Sequence, residues 1–337
     1  MSEISTISEF LLQSGCQYRV FDLGRGIRKL KAQEFMDIEA NKVPHPYPRL
    51  GLAWFGIVFW NKQLSDQQYI WFLKLPLDEQ GLLSSAARNQ FLNIVVEALG
   101  AQMEVTKADS IPENPYTFTP GQQQMADFNS MVRKALSMPP SSFYEQACDY
   151  IRDPQAHDWQ QLPLQGLADV IARLEETSEL LCEQFESLND TVQHSLLNSM
   201  ENQPLGVSLT ETLLDWIQRQ PDNTAVHVAL LRALTQSQAR GLVHQHIARL
   251  LDSPMGAKSD CLIVISGRHW DYLEDEERLY DFMERLAKLE SNIFVAVFAD
   301  IVRLPSIRDK ALAQLRRPDR SPQLSQAIEH LFRAMPS

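Results

Sequence analysis

The spacing of apolar residues changes character about a third of the way along the chain. Up to residue 104, short apolar runs are separated by Gly, Pro and Asn. Beyond residue 121, apolar positions recur every three or four residues in one segment after another. In the first part, Thr6 and Glu9 stand at capping-box spacing around Ile7, Phe10 and Leu11, which predicts a short helix stopped at Gly15. Gln17 to Leu23 alternates and is rich in β-branched and aromatic residues, as a strand requires. Gly24-Arg25-Gly26 permits a tight turn, after which Ile27 to Leu30 returns as the second arm of a hairpin. Gln33 to Asn41 repeats Phe35 and Ile38 on one helical face, and Pro44, Pro46 and Pro48 end it. Leu52 to Trp60 is apolar on both faces, the pattern of a central strand covered on each side. Tyr69 to Leu75 pairs with it across the polar stretch 61–68 and ends at Pro76. Ser84 or Ser85 then caps a helix through Arg88, Phe91, Ile94, Val95 and Leu99, with Gly100 as its terminator.

The first 104 residues therefore read as an α+β domain with a small antiparallel sheet. Residues 105–121, with Pro112, Pro115 and Pro120, read as a linker. From 122 to 337 the pattern is all-helical. Amphipathic segments are expected near 122–136, 141–152, 164–188, 191–200, 208–220, 223–235, 240–251, 260–273, 276–289, 292–304, 307–316 and 322–334. Ser208 and Glu211 form a second capping-box pair, and the acidic run Glu274 to Glu277 suits the positive end of a helix. Similar segment lengths and short connections from Ser208 onward predict paired helices stacked as an α-solenoid. One stretch, Cys261 to Ser266, reads equally well as a buried strand or as a helix.

Charge changes the picture. The net charge is -12, and it is unevenly distributed. Residues 1–104 hold 10 basic and 11 acidic side chains, residues 105–221 hold 6 and 17, and residues 222–337 hold 15 and 15. Such a deficit argues against nucleic acid as a partner, because phosphate binding depends on Lys and Arg releasing counterions. The acidic middle third is either a solvated helical face or a docking surface that steers a basic protein partner. Cys16, Cys148, Cys182 and Cys261 are far apart, which suits a reducing compartment and gives no zinc pattern. No signal-peptide pattern follows Met1, and Leu50 to Trp60 falls short of the ~20 residues a spanning helix needs, so a cytoplasmic protein with no membrane partner is expected.

The candidate chemistry is sparse. Gly24-Arg25-Gly26 follows a strand as a phosphate loop would, yet it lacks a third glycine, and a turn explains both glycines. Arg25, Arg28, Lys29 and Lys31 form a basic cluster that either protects an edge strand or holds a small anion. Asp78 and Glu79 precede the helix carrying Arg88. They are candidates for acid–base or ligand contacts, or for a local pair that fixes the corner. His244 and His246 lie about 200° apart on a helix and cannot share a metal. His269-Trp-Asp271 reads as a buried polar contact. Six basic residues between Arg303 and Arg320 face either the acidic middle third, a partner or solvent. No catalytic set, metal site or cofactor motif is present, so none is expected.

Three stretches carry a resemblance. They are Tyr18 to Leu30; Pro46-Tyr-Pro with Ala53-Trp54 and Phe59-Trp60; and Ile70 to Gly81 with Arg88 and Phe91. Together they resemble a family of uncharacterised proteobacterial proteins, a domain of unknown function spanning almost the whole chain. The resemblance implies a bacterial, cytoplasmic origin and brings no activity, cofactor or catalytic residue. The helical half resembles HEAT-type repeats at the level of pattern. The reading is a non-enzymatic protein-interaction or regulatory scaffold whose partner is another protein. The alternative is a small-ligand-binding protein or enzyme using Arg25, Arg28, Asp78, Glu79 and Arg88 between the N-terminal sheet and the helices.

Overall fold

The computed structural model describes residues 5–63, 67–102 and 112–334, with backbone alone at 99–102. It changes architecture where the apolar period changes. The chain divides into two compact units, residues 1–120 with 303–305 and residues 121–302 with 306–337. Residues 105–111 of the expected linker lie outside the described residues.

In the first unit, Thr6 is extended and its side chain accepts the Glu9 amide, opening α1 (Ile7–Gln13). The strands are β1 (Gln17–Asp22), β2 (Arg28–Leu30), β3 (Leu52–Trp60) and β4 (Tyr69–Pro76). The remaining helices are α2 (Ala32–Glu39) and α3 (Ser85–Gln102). The strands form one antiparallel sheet in the order β2-β1-β3-β4, with Val20 opposite Ile57 and Phe55 opposite Leu73. Residues on both faces of β3 are buried, which accounts for its unbroken apolar run. One face, with Val20, Phe55, Ile57, Leu73 and Leu75, packs in a core with Ile7 and Phe10 of α1, Phe35 and Ile38 of α2, and Phe91 and Val95 of α3. On the other face, Phe21 and Val58 are buried as well.

Both turn glycines are required by the backbone. Gly26 has φ +96°, and a Cβ on Gly24 would stand 2.6 Å from Tyr47 O. Two expectations are corrected. Helix α3 runs through Gly100 to Gln102, since a helical glycine weakens a helix by about 1 kcal/mol without ending it. The described end of the linker is also not free chain. Lys74 N donates to Tyr116 O and Phe118 N to Phe72 O, at 2.8 and 3.1 Å, so this segment pairs with the outer edge of β4. The Phe118 ring meets Trp54 edge-on at 4.8 Å and holds the segment there.

The second unit is helical throughout its described length. Its helices are α4 (Gln122–Ala135), α5 (Tyr144–Arg152), α6 (Leu164–Ala172), α7 (Leu174–Gln184), α8 (Asp190–Met200), α9 (Val207–Ile217), α10 (Thr224–Ala233), α11 (Arg240–Leu251), α12 (Ser259–Arg268), α13 (Glu276–Leu286), α14 (Ser291–Ile301), α15 (Arg308–Gln314) and α16 (Pro322–Ala334). Alternate helices pack on one another. Helices α4, α6, α8, α10, α12, α14 and α16 make one layer. The other contains α5, α7 and α9, then α13 and α15. Within the first layer, α8, α10 and α12 bring their C-terminal ends together. The ends of α8, α10 and α12 are tied through Gln236 Nε2 to Glu201 O, Arg268 to Glu201, and His269 Nε2 to Leu231 O. This is the layering of an α-solenoid, in which each repeat buries its apolar face against its neighbours.

Two local readings are revised, and one left open is settled. The segment 164–188 is two helices that break at Arg173, where ψ reaches 42°, and Thr177 Oγ1 bonds back to the carbonyls of Val170 and Arg173. Helix α9 starts at Val207 with Gly206 as its cap, so Ser208 is inside the helix and forms no capping box. Cys261 to Ser266 is helical. Leu262 and Ile265 are buried, whereas Ile263 is 45% exposed, a distribution that a strand's two-residue period cannot produce.

Candidate functional site

The five residues singled out in the N-terminal domain occupy different settings. Arg25 is 2% exposed, and its Nε donates to Pro48 O at 2.8 Å. Arg28 opens β2 with its guanidinium 5.0 Å from the centre of the Tyr47 ring. Asp78 Oδ1 accepts the amides of Gln80 and Leu82 at 2.9 and 2.8 Å, while Glu79 beside it is exposed. Arg88 is buried against α2, with Nη1 donating to Glu39 O and its other nitrogens to Asn89 Oδ1. Asp78 thus braces the β4–α3 corner through backbone amides rather than through Arg88.

Two buried carboxylates in this unit escaped sequence reasoning. Asp22 Oδ2 lies 2.9 Å from His45 Nε2, with both side chains fully buried. Asp22 Oδ1 accepts the Gly24 amide at 3.0 Å, so the pair pins the proline-flanked loop to β1 and its turn. Glu39 is 1% exposed and accepts the amides of Ile7 and Ser8 at 2.7 and 3.0 Å, closing the N-terminus of α1. Burial raises its pKa, and the bonds from Ser8 and Ile7 hold it back. Both carboxylates act as braces. The one sequence signal was a carboxylate two residues ahead of Gly24 and a histidine between two prolines.

The solenoid unit gathers exposed charge on one layer. Glu145 and Asp149 on α5, Glu175, Glu176, Glu179 and Glu183 on α7, and Glu211 and Asp215 on α9 are all exposed, and α7 packs against both α5 and α9. Cations meet part of this set. Lys134 pairs with Glu175 at 2.6 Å, Arg152 with Asp149 at 2.7 Å, and Arg219 with nearby Glu186. Among the described residues, Glu145, Glu176, Glu179, Glu183, Glu211 and Asp215 have no ion pair, Glu176 accepting instead from the Tyr144 hydroxyl at 3.1 Å. Helices α4 and α6 of the neighbouring layer differ, because their carboxylates turn inward. Asp169 on α6 accepts the Ser141 amide at 2.9 Å. Asp127 on α4 accepts from Ser199 Oγ, Gln123 Nε2 and Asn202 Nδ2 at 2.6, 3.1 and 3.1 Å. Burial pushes its pKa up to about 6 despite those bonds.

Further along, His244 and His246 point to opposite sides, as their spacing requires. His246 is buried, which pushes its pKa down to about 4. His244 Nε2 lies 2.9 Å from Asp271 Oδ2, which also accepts from Arg240. Burial would raise the Asp271 pKa, but the bond and charge of Arg240 hold it below the usual range. His269 is fully buried and bonds to Leu231 O at 2.7 Å, the interior polar contact its sequence suggested. The basic stretch 303–320 meets the acidic start of α13. Lys310 Nζ donates to Glu274 O at 2.6 Å, and Arg317 spans both Glu277 oxygens at 3.0 Å. Where α8, the end of α9 and the start of α10 meet, a cleft of about 390 Å³ has Leu197, Trp216 and Val226 in its lining, with Asp190 and His194 at its edge.

Among the described residues, no group of three or more His, Cys, Asp and Glu side chains is arranged to hold a metal, and no helix is long and apolar enough to cross a membrane. No curated protein and no solved structure matches the chain. One family model does, over residues 2–332, and its description is a protein of unknown function (DUF3549). By a match of that length the chain belongs to the DUF3549 family.

Proposed function

We propose that this protein is a non-enzymatic scaffold that docks another protein, basic in character, on the α5–α7–α9 layer of its helical unit. The observation that carries the reading is the segregation of charge. Six exposed carboxylates without ion pairs lie on three helices packed side by side, while Asp127 on α4 and Asp169 on α6 are buried. A face of that kind raises the encounter rate with a positive partner and repels acidic ones. Stacked helix pairs, a pattern shared with HEAT-type repeats, supply the extended surface such docking uses. The alternative, a ligand site built from Arg25, Arg28, Asp78, Glu79 and Arg88, draws less support, since Arg88 and Asp78 are engaged with backbone groups of their own corner.

The test is affinity capture from extract with the full chain and with a variant carrying Glu179→Lys, Glu183→Lys, Glu211→Lys and Asp215→Lys. All four positions are exposed, so the fold is expected to survive, and circular dichroism checks that. The reading predicts proteins that are retained by the natural chain, released by raised salt and lost from the variant. Identical capture by both chains contradicts it.

A further inference from the structure

The cleft between α8, α9 and α10 lies where the acidic layer meets its neighbour. Its lining combines buried Leu197 and Trp216 and half-buried Val226 with exposed Asp190, Thr191 and Ala225. Trp216 is held edge-on against Phe185 at 5.1 Å, so the apolar wall is fixed by packing. At about 390 Å³ the cleft is near the small end of the ~300–1,000 Å³ range of pockets that enclose a guest. No Lys or Arg lines it and Asp190 does; within four residues of lining positions stand Asp215 and Asp222, and Glu186, which is paired with Arg219.

The N-termini of α8 and α10 also meet here, and their dipoles alone would favour an anion. That demand is already met within the chain. Asn189 Oδ1 accepts the Thr191 amide at 2.9 Å and Asn223 Oδ1 the Val226 amide at 3.2 Å, while Asp190 fills the first position of α8. What remains is an apolar slot with Asp190 on its lining and an excess of acidic over basic residues beside it in the sequence.

We infer that this cleft receives a large apolar side chain from a partner segment that also carries Lys or Arg. The inference rests on reading the α5–α7–α9 layer as a docking face, and adds where that docking gains affinity. Attraction between exposed charges is screened beyond about 8 Å at physiological salt and acts mainly on encounter. Burying one Leu, Phe or Trp anchor strengthens binding on the order of tenfold to a hundredfold.

The experiment pans a random 16-residue peptide library on the full chain and measures selected peptides by fluorescence anisotropy. The natural chain is compared with Ala225→Trp, which fills the cleft from an exposed position, and with a Glu179→Lys, Glu183→Lys variant altered away from it. The expected peptides pair a large apolar residue with Lys or Arg. Ala225→Trp weakens them at least tenfold, and the lysine variant flattens their salt dependence. Basic peptides that need no apolar residue and bind Ala225→Trp unchanged would overturn the cleft inference while leaving the docking face standing. Selected peptides without basic residues, indifferent to the lysine variant, would overturn both.

Discussion

Asp127 and His246 pull on stability in opposite directions as the pH changes. Asp127 titrates near 6 in the folded chain against 3.8 when unfolded, so the folded state binds the extra proton between those values. Its ionised form is therefore a burden of about 3 kcal/mol at neutral pH, relieved as the pH falls through 6. His246 moves the other way, with a folded value near 4 against 6.5, so the unfolded chain takes the proton first and stability drops between 6.5 and 4. Thermal melts from pH 8 to 4 separate the two. Asp127→Asn is expected to raise Tm most at pH 8, with the gain shrinking below 6. His246→Leu is expected to lessen the acid-side decline between 6.5 and 4, the part that remains belonging to buried His269, whose pKa is also pushed down to about 4. A constant offset across the whole range in either variant would contradict the assignment. Neither group was legible in the sequence, because a shift of this kind comes from partners distant along the chain. Ser199 and Asn202 meet Asp127 from the far end of α8. Asp22, Glu39 and His45 were missed because their partners also lie far along the chain. The turn at Gly24 and Gly26, by contrast, is written locally and was read correctly.

At the scale of elements, periodicity identified the strands and most helices, since a two-residue or 3.6-residue repeat is a local property. It failed where two periods fit equally well or where a side chain interrupted a helix. Cys261 to Ser266 is the sharpest case, because an all-apolar run carries no phase until neighbours cover part of it. In α12, Ile263 faces outward and Ile265 is fully buried. In a strand these positions would share a face and respond alike; on a helix they stand about 200° apart. Ile263→Asp is therefore expected to change Tm by only a few degrees. Ile265→Asp, which buries an unpaired charge, is expected to abolish the cooperative melt. Equal effects at the two positions would contradict the helix. The break at Arg173 lay beyond sequence reasoning, since it depends on the Thr177 hydroxyl taking two backbone carbonyls.

At the scale of the molecule, net charge was legible as a number and its placement was not. The excess of acidic over basic residues in 105–221 is a property of the sequence, whereas its collection on α5, α7 and α9 follows from how alternate helices share a layer. The same holds for the basic stretch 303–320, whose Lys310 and Arg317 are engaged at the start of α13 rather than at the acidic middle third. The most direct test of the docking face is hydrogen exchange of the full chain with and without a partner recovered through charge-dependent capture. Slowed exchange confined to α5, α7, α9 and the cleft beside Trp216 is the predicted result. Protection confined to the N-terminal sheet, with those helices exchanging as in the free chain, would contradict it.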